Sequence, residues 1–203
     1  MPRTAERGGP QTRARIREVA NRLFLERGYD AVTVAEVARE AGVSSVTVFN
    51  HFPRKEDLFL DRTDDAVQAI RFSVRERAEG TNVLDALEAQ SRQLFESRHP
   101  LSGVDERSAG FFRTVAGSPA LMARAREILS ELQTTLTEEL DHDAAFDGDA
   151  RLFATLFLAG YSSVLVETAR RVVAGETMTG IVDDHGARLD RLFVGLRKGI
   201  ASS

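Results

Sequence analysis

Apolar side chains along this chain recur at the spacing of a helix, and no stretch alternates for long enough to make a sheet strand. Ile16, Val19, Ala20, Leu23 and Phe24 follow i, i+3, i+4, i+7 and i+8, a stripe down one side of a helix that Gly28 stops. Thr33 with Glu36 three residues on forms a capping box. It opens a short second helix whose apolar face is Val34, Val37, Ala38 and Ala41, closed by Gly42. Ser44 caps a third short helix, Ser45 to about His51, and Pro53 stops it. A fourth helix is expected from near Lys55 to roughly Ala78, with Phe59, Ala66, Ala69, Ile70, Ser73 and Val74 facing inward. Five more follow. The fifth is capped at Thr81 or Asn82 and ends near Ser97. The sixth runs from about Glu106 to Ala116. The seventh, entered through Ser118-Pro119, ends near Asp141. The eighth covers about Ala150 to Ala174, and the ninth runs from near Thr179 to near Gly199. The expected class is all-α.

With 42% hydrophobic and 29% charged residues in 203, the chain can bury a core and stay soluble. It has no cysteine, which excludes disulfides, thiolate metal sites and a cysteine nucleophile and fits a cytoplasmic location. The polar, basic start lacks the apolar core of a secretory signal. The longest uncharged run, Leu152 to Val166, is too short for a bilayer that needs roughly 18 to 20 residues, so a buried core helix is expected there. Residues 1–27 carry seven arginines against three glutamates; residues 1–60 carry ten basic against eight acidic side chains, and the remainder 17 against 23. Only the N-terminal part of this acidic protein is therefore suited to a polyanion.

Gly28 to Leu58, GYDAVTVAEVAREAGVSSVTVFNHFPRKEDL, reads as two short helices joined through Ala41-Gly42-Val43. That is a helix-turn-helix at residues 33–52. Its second helix has spacing that turns Val48 and Phe52 inward and leaves an outer face without a carboxylate, as a surface facing phosphates requires. Phe24 before Gly28-Tyr29, Thr33-Val34, Val37-Ala38, Ala41-Gly42-Val43-Ser44, Thr47, Phe49-Asn50-His51-Phe52 and Lys55-Glu56-Asp57-Leu58 together resemble the DNA-binding domain of the TetR (TetR/AcrR) family of bacterial repressors. The resemblance covers about Thr12 to Ala69. Beyond it the chain resembles the family only in length and helix count.

The resemblance implies a DNA-binding domain at residues 10–70 and an effector-binding and dimerisation domain at 71–203. It assigns phosphate contacts to Thr33, Ser44, Thr47 and Lys55, with Arg13 and Arg15 reaching flanking backbone. Ser45, Val46, Phe49, Asn50 and His51 would lie in or along the major groove. Ser45 stands where the family often has lysine, Val46 where it is usually small, and Phe49 where tyrosine is usual. The loss of that phenol removes a phosphate donor.

In the second domain, the resemblance implies an apolar effector cavity. Its candidate lining is Phe72, Phe95, His99, Phe111, Phe112, Arg113, Met122, Phe157 and Tyr161. His185, Leu189, Leu192 and Leu196 at 4-3-4 spacing, with Leu152, Leu156 and Gly160 on the eighth helix, are expected to form a homodimer seam. Dimerisation would set two recognition helices about 34 Å apart, on successive major grooves. A small effector bound between the fourth and seventh helices would tilt the fourth and lower affinity for a palindromic operator. A transcriptional activator of the same fold is the alternative. An enzyme is disfavoured: the four histidines are scattered, and no metalloprotease, phosphate-loop or nucleophile-elbow motif occurs. Neither a cofactor nor a metal is expected.

Overall fold

The computed structural model describes residues 5–105 and 107–200; Glu106, the expected start of the sixth helix, lies outside the described residues. The described residues form nine α-helices and no strand: α1 (Ala5–Arg27), α2 (Val34–Glu40), α3 (Ser45–His51), α4 (Thr63–Arg75), α5 (Val83–Glu96), α6 (Ser108–Gly117), α7 (Pro119–Asp141), α8 (Ala150–Val173) and α9 (Met178–Ile200). The all-α expectation is borne out.

The fourth helix needs a correction, because Lys55 to Ala78 is not one rod. A single 3-10 turn, Glu56–Leu58, is followed by a break, and α4 begins only at Thr63. Leu58 and Phe59 are adjacent and both buried, which a regular amphipathic helix does not favour at this solvent boundary. Phe59 packs its ring edge against Phe24, 5.9 Å between centroids. Asp64 and Asp65 then sit in the first turn of α4, where the helix dipole favours acids.

The chain divides into two compact units. The first holds the residues up to Asp61 together with Arg113–Ala125. Its fully buried side chains include Ile16, Phe24, Val32, Phe52, Leu58 and Leu121. Two polar ties fasten its second segment: the Ser118 hydroxyl donates to Asp30 (3.1 Å), and Arg124 pairs with Asp57 (2.9 Å).

The second unit comprises Arg62–Phe112 and the residues from Arg126 onward. Its core joins Ile70 and Val74 of α4, Leu84 and Leu87 of α5, Leu136 and Leu140 of α7, Phe153 and Phe157 of α8, and Leu189 and Phe193 of α9. The α8–α9 pair is its most extensive helix contact. Gly160 makes that approach possible, since a Cβ there would stand 2.3 Å from Leu192 Cδ1. The buried Glu139 carboxylate of α7 is held bidentately by Arg75, through Nε at 2.5 Å and Nη2 at 2.7 Å, and by Arg71 (3.2 Å). Those arginines keep it below the usual carboxylate range.

By length and composition α8 is apolar enough to cross a membrane. Its apolar residues divide between two faces. Phe153, Ala154, Phe157, Leu158 and Val164 are buried in the core, while Leu152, Leu156, Val166 and Val173 form an exposed stripe.

Candidate nucleic-acid interface

Each end of the α2–turn–α3 element is set by short-range chemistry. Thr33 caps α2: its hydroxyl accepts from the Glu36 N–H (3.2 Å), and the Glu36 carboxylate reaches back to the Thr33 N–H (2.8 Å). At the other end the Ala41 and Gly42 N–H groups donate to Val37 and Arg39, and Val43 N–H donates to Ala38. This reversal puts Gly42 at φ +65°, in the left-handed region where a side chain is strained, so glycine is the residue the turn requires. Ser44 then caps α3 by accepting from the Thr47 N–H (3.1 Å).

Val48 and Phe52 are each 1% exposed and fix α3 from below. Its opposite face is open: Val46 is 69% exposed, Phe49 48%, and Asn50 is exposed, with Ser45, Thr47 and His51 half-buried at the flanks. No acid occurs from residue 41 to 55. Two carboxylates of α2, before that run, are partnered. Glu40 pairs with Arg22 (2.6 Å). Glu36 pairs with Arg27 (2.8 Å), and the Thr33 N–H, that guanidinium and the Thr33 hydroxyl pull Glu36 down to about 2. The face can therefore approach polyanionic phosphates without carboxylate repulsion from its own helix.

Three residues expected at phosphates have other work. Arg13 is half-buried; it donates to the His51 carbonyl, capping the end of α3, and its guanidinium lies 4.4 Å over the Phe52 ring. Lys55 donates to the Tyr29 carbonyl (2.7 Å), 4.1 Å from the centre of the Tyr29 ring, and burial lowers its pKa. The Thr33 hydroxyl is occupied by Glu36 (2.9 Å). In each case the fold supplies a carbonyl, an aromatic face or a carboxylate as a partner. Arg13 and Lys55 thus position the motif, roles that helical spacing did not reveal; an arginine more than two turns into α1 gives no sequence signal of where its fork lands. Arg15 is exposed.

The candidate effector residues occupy several environments. Phe72, 58% exposed, and His99 share a shallow groove of about 350 Å³ with Gln68, Gln90, Leu94 and Leu101. Phe95 stacks on His185, 5.0 Å between centroids. Phe111 and Phe112 meet edge to face, and Phe157 stacks on Tyr161, whose phenol burial pushes up to about 12. Arg113 and Met122 are exposed and belong to the first unit. Aromatic content alone did not distinguish lining from core. A second groove, of about 570 Å³, is lined by Arg71, Arg75, Arg77, Glu139, His142 and Asp143, none of them among the candidate effector residues.

The expected α9 seam also needs correction. His185, Leu189 and Leu196 are buried within their own chain, and Leu192 is partly buried against Gly160. The Thr168 hydroxyl donates to the Val164 carbonyl (3.0 Å), so its oxygen receives the Nδ1–H of His185 (2.8 Å). A 4-3-4 repeat specifies a buried face, and α5 and α8 of the same chain cover this one. Leu152 and Leu156 of the predicted seam are the exposed ones, at 55% and 42%.

Residues 16–61 match the model of the bacterial regulatory proteins, tetR family. The chain is 37% identical over 61 residues to the HTH-type transcriptional regulator AcrR of Shigella flexneri, a match covering 30% of this chain and 28% of that protein. It is 23% identical over 120 residues to IcaR of Staphylococcus epidermidis, the biofilm operon icaADBC HTH-type negative transcriptional regulator, covering 58% of this chain and 61% of that one. Both matches span less than two thirds of the relative's length. Among solved structures, the SmeT–triclosan complex resembles the chain with a TM-score of 0.61 and 18% identity, covering 91% of each chain, a likeness of fold.

Proposed function

We propose that this chain, whose residues 16–61 match the model of the bacterial regulatory proteins, tetR family, is a DNA-binding transcriptional repressor released by a small, largely apolar effector. The observation that carries this is the open face of α3. Val46, Phe49 and Asn50 stand outward on a helix capped at both ends, with no carboxylate from residue 41 to 55. Such a helix suits the major groove, with Ser44 and Thr47 at its entry and Arg15 beside it as phosphate contacts. Arg13, Thr33 and Lys55 act indirectly, by holding the motif in shape.

Repression is supported by the similarity to IcaR, a negative transcriptional regulator. A small effector is supported by the SmeT–triclosan complex and by the shallow groove at Phe72, where Phe72, Leu94 and Leu101 stand among Asp65, Gln68, Gln90 and His99. The exposed stripe of Leu152, Leu156, Val166 and Val173 supports a homodimer closed through α8, which would present two copies of α3 to a palindromic operator. Such a regulator works in the cytoplasm, on chromosomal DNA, and its role requires no catalytic residue.

The test uses the full chain and a labelled duplex carrying the region upstream of its own gene, titrated between 50 and 200 mM salt. The expected result is a dimer whose log affinity falls linearly with log salt, with a slope of roughly −0.9 per phosphate neutralised. A monomer, or an absence of salt-sensitive binding to that duplex and to duplexes enriched from a random pool, would contradict the proposal.

A further inference from the structure

Val46 and Phe49 present a physical problem that phosphate binding does not solve. They are 69% and 48% exposed, while Val48 and Phe52 of the same short segment are 1% exposed. The fold therefore has the means to bury apolar side chains here and leaves these two in water. Positions 46 and 49 are i and i+3, so both project from one face, with Asn50 beside them. That face is rigid: Ser44 caps one end of α3, Arg13 caps the other, and the Arg13 guanidinium is stacked on Phe52.

In the major groove, guanine, cytosine and adenine present polar donors and acceptors. Thymine alone adds an apolar group, its 5-methyl. We infer that Val46 and Phe49 read thymine methyls, making the operator half-site thymine-bearing at the two positions they face. This rests on the repressor proposal and specifies what its recognition helix selects. Val46, the more exposed, meets one methyl, and the broader Phe49 ring meets a neighbouring one. Desolvating each methyl against an aliphatic or aromatic surface contributes about the worth of one buried methyl group, roughly fourfold in affinity.

The experiment enriches duplexes from a random pool with the full chain, then replaces each thymine of the enriched half-site singly by deoxyuridine, which removes only the methyl. The expected result is a loss of about fourfold at two thymine positions. Val46→Ala abolishes the thymine–uracil difference at one of them, and Phe49→Ala at the other. Both sites are exposed, so helix content by circular dichroism stays unchanged. Equal affinity for thymine and uracil duplexes throughout, or a full methyl effect retained in both variants, overturns the inference while leaving DNA binding intact. Failure to enrich any duplex overturns the inference and the repressor proposal together.

Discussion

The α2–α3 pair and the α8–α9 pair each join two consecutive helices in contact, and they are held by opposite means. Helices α2 and α3 have 7 residues each, too short to be stable on propensity, and their geometry comes from a capping box, a left-handed glycine, a serine cap and an arginine on the last carbonyl. Helices α8 and α9, with 24 and 23 residues, are held by apolar packing around Phe157, Leu189 and Phe193. Positioning by caps and a turn leaves the outward side chains of α3 available to a ligand. Positioning by packing engages whatever faces the neighbour. A surface that must touch DNA belongs on an element of the first kind, and the scaffold on elements of the second.

The contrast is sharpest when one substitution is made in both places. Phe193→Ala, at a fully buried position, should cost about 3–5 kcal/mol in urea unfolding, whereas Phe49→Ala on α3 should stay within about 0.5 kcal/mol. Comparable losses at the two positions would break the distinction.

A smaller effect should appear with pH. Burial pushes His185 down to about 4, against the opposing pull of Asp184, so the imidazole is neutral when folded. The unfolded chain takes up its proton below about pH 6.5. Stability should therefore fall as pH drops from about 6.5 towards 4, by roughly 1 kcal/mol per pH unit from this group. His185→Gln should flatten that part of the profile, measured by urea midpoints at fixed salt; an unchanged slope would remove His185 as its source. Smaller still, Gly42→Ala should cost about 1–2 kcal/mol, because nothing within 4 Å of a Cβ there would clash and only the left-handed backbone opposes it. Thermal unfolding at pH 7 checks it.

The same contrast decides what could be read from the amino acids. Thr33 with Glu36, Gly42, Ser44 and Pro53 act over three or four residues, so the helix-turn-helix and its capping were legible. The Ser118-Pro119 entry announced α7, and the expected start of α8 near Ala150 matches the structure. What failed depended on choice of partner. Helical spacing marked His185, Leu189 and Leu196 as a buried face without saying that their own chain covers it. The Phe59 side chain fitted a continuous helix until Phe24 turned it aside. That Arg13 and Lys55 hold the His51 and Tyr29 carbonyls was not legible, because a cation's partner is set in three dimensions. The aromatic residues of the second unit gave no signal separating Phe72, in the groove, from Phe157, in the core.

The most direct test of the account is to place one carboxylate on the face of α3 that lacks any. Asn50→Asp is exposed and adjoins Val46 and Phe49, so folding should be unaffected. At 100 mM salt its affinity for the enriched duplex should fall by about 10- to 100-fold, roughly 1.4–2.8 kcal/mol. An affinity equal to that of the unsubstituted protein, with the helix content of both unchanged, would mean that DNA meets some other part of the molecule.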